Sequence, residues 1–281
     1  MPNFDPTTAA EIGNFINSVY LMYNDGKGGL TPKQIGMGGY TDHSYIIMDD
    51  FLPWKSMHEF YGIVATSDSS DESVVAMRGT VGATEWFDNI HTGLVPFPHA
   101  KGSVEAGFNR IYNSIKVVPA GWDPRLLAAS QPVAGTFAEQ VAGAISQHKG
   151  MQLSGAVRTQ KVTVAGHSLG GALLTLYVMD NVAKNLLQTP LVYTFGCPRV
   201  GDATFVSTYN AERSVTTWRI VNTHDLVPTL PPREWGFEDV DTYVPLAENN
   251  KIKDTPGCHH AMTTYMALLN PKVYSAKDCK A

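Results

Sequence analysis

The chain has 281 residues, 43% of them hydrophobic and 17% charged, with 21 Lys and Arg against 26 Asp and Glu, a formal charge of −5. That balance excludes an intrinsically disordered chain and gives enough apolar material for a sizeable core. The acidic excess argues against general nucleic-acid binding, and no apolar run reaches the length a membrane span needs. The longest uncharged apolar stretch is Gly170 to Met179.

Chain order gives the elements. Thr8-x-x-Glu11 fits a capping box, with Pro6 tolerated nearby, and Ile12, Phe15, Ile16, Val19 and Tyr20 follow at helical spacing, which predicts a helix over 9–23. Glycines 26, 28 and 29 end it. Ser73 to Met77 reads as a buried strand. A helix follows at Phe137–His148 and a β-branched strand at Lys161–Ala165. Leu169–Leu187 carries one continuous apolar helix face, then Leu191–Phe195 and Thr216–Val221 read as strands. A short helix over Met262–Leu269 stops at Asn270-Pro271. Strands alternating with helices predict an α/β fold around a mostly parallel sheet, and with no repeats or linker the whole of 1–281 reads as one domain.

The N-terminus has no Lys or Arg before Lys27, and Asp5 and Glu11 interrupt it, so it does not read as a secretory signal peptide. The expectation is a cytoplasmic protein, or one exported by another route, or a secreted one whose signal has been removed. Cys197, Cys258 and Cys279 are too few for a disulfide scaffold; at most one bridge can form, for which Cys258–Cys279 is the only pair near in sequence, and free thiols that pack as small hydrophobes are the favoured alternative.

The chemistry concentrates in Gly166-His167-Ser168-Leu169-Gly170-Gly171, a G-x-S-x-G motif between a strand and a long amphipathic helix. That context makes Ser168 a nucleophile on a strand-to-helix elbow, where a side chain at the flanking glycines would collide with its surroundings. A serine hydroxyl needs a base, and the base an orienting carboxylate; in α/β-hydrolases they follow in the order Ser, acid, His. Asp225 comes directly off the strand ending in Thr216–Val221. Asp202 reads better as a helix N-cap, and Asp239, Asp241 and Asp254 lie in a loop-rich segment. The base is His259 or His260, which residue chemistry alone does not separate; His167 and His224 read as neighbours that pack or hydrogen-bond locally. The oxyanion hole takes the Leu169 N–H and a second donor after the early strand, Thr80 of Arg78-Gly79-Thr80.

With these motifs placed, the chain resembles the class 3 triacylglycerol lipases, a branch of the α/β-hydrolases. The matching stretches are Val75–Thr80, Val104–Phe108, Val162–Gly171, Thr194–Gly201, Arg219–Pro232 and His260–Tyr265. The resemblance implies Ser168 as nucleophile, Asp225 as acid, His260 rather than His259 as base and Thr80 in the oxyanion hole. The spacing after Thr80 predicts a short amphipathic helix over 83–90 with Trp86 and Ile90 on its buried face beside Phe87; the resemblance implies that this segment, residues 81–98, is a lid that opens at a lipid–water interface or, as in the family's feruloyl-esterase relatives, a fixed flap packed on the core. Three positions depart from the family pattern: Ala106 where a His is usual, Cys197 where Ser or Ala is commoner, and Glu238-Asp239-Val240-Asp241 where a His and Gly are expected. The function implied is hydrolysis of acylglycerol esters through an acyl-serine, with no metal or organic cofactor and no nucleic-acid partner. The alternatives are a soluble feruloyl-type esterase with the same triad, or a catalytically inactive, lipase-like lipid-binding protein.

Overall fold

A computed structural model describes residues 3–25, 38–49, 58–80, 93–121, 134–150, 160–240, 242–247 and 251–280. Helix α1 (Pro6–Asp25) precedes an antiparallel meander of β1 (Tyr40–Asp49), β2 (His58–Ser67) and β3 (Glu72–Met77). Then come β4 (Leu94–Pro96), β5 (Ser103–Glu105), α2 (Ala106–Tyr112), β6 (Lys116–Pro119) and α3 (Phe137–His148). The second half runs β7 (Lys161–His167), α4 (Leu169–Lys184), β8 (Gln188–Phe195), β9 (Gly201–Asp202), α5 (Ala203–Asn210) and β10 (Thr216–Asn222). It continues with β11 (Phe237–Glu238), β12 (Tyr243–Leu246), α6 (Pro256–His260) and α7 (Met262–Leu269).

The main sheet has the order β12-β10-β8-β7-β3-β2-β1-β6. The pairs from β12 to β3 are parallel, and those from β3 to β6 antiparallel. Strand side chains alternate between two cores. Ile46, Met48, Val75, Met77, Val162 and Val164 face α3 and α4, while Tyr45, Ile47, Val74, Ala76, Ala165 and Phe195 face α1 and α7. This two-faced burial is why the strands read as nearly continuous apolar runs. A small antiparallel sheet, β11-β9-β5-β4, lies apart from the main one.

Two local expectations change. The capping box at Thr8 does not form, because Asp5 caps α1 first: its carboxylate accepts the N–H groups of Thr7 (3.2 Å) and Thr8 (3.0 Å). The long helix stops at Lys184 rather than 187, because Asn185 turns left-handed (φ 49°) and Asn181 binds both the N–H and the C=O of Leu187. Asp202 does cap a helix, accepting from the Phe205 N–H at 2.8 Å. Of the two readings of the cysteines the one bridge holds and the favoured one, free thiols throughout, fails: Cys258 and Cys279 are bonded, and Cys197 is free and buried. Their approach is set by tertiary pairing, Ile252 bridging Lys280 and the Lys253 N–H donating to Cys279, which sequence separation does not show. The predicted lid helix, with Trp86, Phe87 and Ile90, lies outside the described residues. No helix among the described residues is long and apolar enough to cross a membrane.

Candidate active site

Strand β7, in the interior of the sheet, delivers Ser168 at its C-terminal end, and α4 starts at the next residue. Ser168 adopts φ 54°, ψ −127°, and its N–H is held by the Phe195 carbonyl at 2.9 Å. A non-glycine residue at φ above zero is strained, and here the surroundings impose it. The motif glycines have a direct cause. A Cβ on Gly166 would sit 2.6 Å from the Gly170 carbonyl, and one on Gly170 would sit 2.6 Å from the carbonyl oxygens of Met77 and Arg78. The elbow is tight because backbone packs on backbone on both sides. Leu169 is the first residue of α4, so its N–H belongs to a helix N-terminus, where donors lack intrahelical partners.

Strand β10 runs into Asn222 and the turn that carries Asp225. Asp225 is 3% exposed. Its Oδ2 accepts from His260 Nδ1 (2.7 Å) and from the Tyr265 hydroxyl (2.7 Å), and its Oδ1 from the Val227 N–H (2.9 Å). Burial pushes its carboxyl up, but the hydrogen bond and charge of His260, with the Tyr265 and Val227 donors, outweigh this and hold it below its ordinary value. His260 closes α6, and Ala261 breaks the chain before α7. The adjacent histidines separate clearly. His260 meets Asp225, whereas His259 Nε2 meets the exposed Asp254 at 3.0 Å and its ring stacks on His224.

The structure brings the elbow and His260 together. His167 Nε2 lies 2.7 Å from the His260 carbonyl, and the two rings are 4.5 Å apart. His260 Nε2 is buried and takes no hydrogen bond, from Ser168 or any other described residue. Thr80 Oγ1 is likewise buried and unpaired, on the turn that follows β3. Gly79 beside it packs on Ser168: a Cβ there would lie 2.6 Å from Ser168 Cβ. No group of His, Cys, Asp and Glu among the described residues could hold a metal ion.

Sequence reasoning gave no role to Tyr265, although it stands in the stretch His260–Tyr265; only the fold shows that its hydroxyl reaches Asp225. It also missed the arginine cluster under the Asp225 turn. Asp239 ion-pairs with Arg219 (2.7 Å), Arg199 (3.2 Å) and Arg233 (2.6 Å). Arg219 also donates to the Pro228 carbonyl at 2.9 Å, and Arg199 to the carbonyls of Thr229 and Pro231. Within that departure Asp239 thus supplies counter-charge for the loop that follows Asp225, and its ion pairs go to arginines.

Comparison with known proteins follows the same lines. A phospholipase A1-II 4 of Oryza sativa subsp. japonica is 30% identical over 209 residues, covering 69% of this chain and 49% of that protein. A lipase of Rhizomucor miehei is 29% identical over 189 residues, covering 66% of this chain and 44% of its own length. The chain spans about half the length of the first of these relatives. Among solved structures, the mono- and diacylglycerol lipase from Aspergillus oryzae superposes with a TM-score of 0.61 at 17% identity, over 92% of this chain and 85% of that one. At that identity the likeness speaks for the α/β-hydrolase fold. The family model for lipase (class 3) matches residues 74–235, which holds Thr80, the Ser168 elbow and Asp225 and is more than half of the chain, and on that ground the protein belongs to the class 3 lipase family.

Proposed function

We propose that the chain acts as one catalytic unit, a serine ester hydrolase that cleaves acylglycerol esters through an acyl-serine. The observation that carries this is His260: its Nδ1 is fixed by the Asp225 carboxylate, and its Nε2 is left buried and unengaged beside the Ser168 elbow. A carboxylate only accepts, so Nδ1 carries the proton and Nε2 presents its lone pair. Ser168 attacks the ester carbonyl as Nε2 takes the Oγ proton, and Asp225 stabilises the imidazolium that forms. The oxyanion is met by the N–H groups of Leu169 and Thr80 and by the Thr80 hydroxyl, each donor worth roughly 3 kcal/mol in the transition state. His260 then returns the proton to the leaving alcohol, and water cleaves the acyl-enzyme by the same route.

Glycerolipid esters as substrate class are supported by the names of the relatives, phospholipase A1 and lipase. The lid reading of 81–98 and action at a lipid–water interface rest on the family alone; specific activity that rises as an ester passes its solubility limit is the expected result, and an unchanged value removes the lid. The Cys258–Cys279 bond supports folding in an oxidising compartment. A fluorophosphonate probe tests the central reading. Labelling at Ser168 that is lost in Ser168→Ala, together with hydrolysis of p-nitrophenyl esters, is expected. An unlabelled wild-type protein without esterase activity turns the reading over to the inactive lipid-binding alternative.

A further inference from the structure

Tyr20 stands on α1, outside residues 74–235 matched by the family model. Its hydroxyl nevertheless reaches the segments on both sides of the Ser168 elbow. It is 2.8 Å from the Gly79 N–H and 2.7 Å from His167 Nδ1, and His167 Nε2 in turn is 2.7 Å from the His260 carbonyl. The direction of every bond in this chain follows from chemistry. A carbonyl only accepts, so His167 Nε2 carries a hydrogen. Burial, and then the neighbouring His260, pull the His167 imidazole down to about 3, so it is neutral and its Nδ1 is an acceptor. Tyr20 must then donate to Nδ1, and burial pushes its phenol up to about 12, which keeps that proton in place. The Tyr20 oxygen is left to accept from Gly79.

Gly79 is held from its other side too. Its carbonyl accepts from Arg78 Nη1 at 2.7 Å, and the Arg78 guanidinium is clamped between the Tyr23 and Tyr61 rings at 3.8 and 4.0 Å. Both polar groups of Gly79 are therefore tied, and the peptide leading into Thr80 has one orientation. With its N–H spent on Tyr20, Gly79 is not an oxyanion donor, which leaves that work to Thr80 and Leu169. The same relay fixes the backbone of His260 from below while Asp225 fixes its ring.

We propose that Tyr20 and His167 are positioning residues that lock the oxyanion arm and the backbone of the base into one register around Ser168. The proposal rests on the esterase reading above. The hydrogen bonds of the two side chains go to Gly79, to each other and to the His260 carbonyl, and none goes to His260 Nε2, so their loss should act on transition-state alignment rather than on ground-state binding. A misplacement of about 1 Å costs on the order of a hundredfold in rate.

The experiment compares wild type, Tyr20→Phe, His167→Leu and His167→Gln on a soluble p-nitrophenyl ester, with a trifluoromethyl ketone as tetrahedral-adduct analogue. Tyr20→Phe is expected to lower kcat by about tenfold to a hundredfold, to leave KM within about twofold, and to weaken the ketone by the same factor as kcat. His167→Gln keeps an N–H for the His260 carbonyl and should exceed His167→Leu by at least about tenfold in kcat. Should Tyr20→Phe not fold, the His167 pair decides alone. Wild-type kcat in Tyr20→Phe, a change confined to KM, or equal activity of the two His167 variants overturns the proposal. An inactive, unlabelled wild type instead overturns the esterase reading, so the two failures are told apart.

Discussion

Asp239→Asn is the sharpest test of how the Asp225 turn is supported. The substitution keeps the side chain's size and removes its charge from among three guanidiniums. Arg219 and Arg199 are 7% and 11% exposed and Asp239 is 21% exposed, so the first two pairs are screened little by solvent. Arg233 is 56% exposed and its share is small. Removing one partner of a buried pair costs about 3–5 kcal/mol, and the partial exposure of Asp239 points to the lower end. At roughly 2–4 °C per kcal/mol for domains near this size, the expected fall in Tm at pH 7 is roughly 6–12 °C by the same principle. The pH dependence carries the sign. Burial raises the Asp239 carboxyl, but Arg219, Arg233 and Arg199 together hold it below its ordinary value. A folded-state pKa below the unfolded one of about 4 gives stability that is complete above that pH and is lost as the pH falls through the lowered value. Calorimetric melts should therefore show a wide gap between the two proteins at pH 7 that closes under acid. A gap below about 2 °C at pH 7, equivalent to under 1 kcal/mol, would show that the arginines are solvated well enough without their counter-charge, and the argument would be refuted.

Three further outcomes follow from the site. His260→Ala should lose essentially all hydrolysis while His259→Ala keeps most of it, since His259 faces the exposed Asp254; the reverse pattern in steady-state kinetics would reassign the base. Tyr265→Phe removes one of the donors that hold Asp225 low, a charge-assisted bond of about 1.5–3 kcal/mol, so chemical denaturation at neutral pH should show a loss of that order. The stability that Asp225 loses under acid should also be smaller than in the wild type, because the carboxyl is less depressed in the folded state, so the gap between the two proteins narrows as the pH falls below about 4; a gap of the same size at neutral and acid pH would contradict this. Gly79→Ala should be soluble but at least about a hundredfold slower, because the new methyl meets Ser168 Cβ and the Tyr20 hydroxyl, and a kcat within threefold of wild type would show that the arm is not tightly placed.

The parts legible in the sequence were those with short-range causes. The elbow could be read because a strand, a helix and two glycines must all be near Ser168 in the chain. Asp225 could be read because it leaves a β-branched strand directly. The parallel core strands showed as apolar runs because both their faces are covered. The antiparallel strands β1, β2 and β6 were not read, since Tyr40–Asp49 mixes polar residues such as Asp42, His43 and Ser44 into the run. The choice between His259 and His260 came from family resemblance, because one residue of rotation at a helix end is not written in local composition. The Tyr20–Gly79, Tyr265–Asp225 and Asp239–Arg219 contacts span 59, 40 and 20 residues and exist only once the sheet is assembled.

The sulfur link between positions 258 and 279 leaves the polypeptide with two covalent forms. One is made where thiols are oxidised, the other where they are kept reduced, and the linkage sits two residues before the imidazole-bearing His260. Material from the two kinds of host is then chemically different in the neighbourhood of that ring. Rates measured on an unlinked preparation would describe a different molecule, however similar its mass.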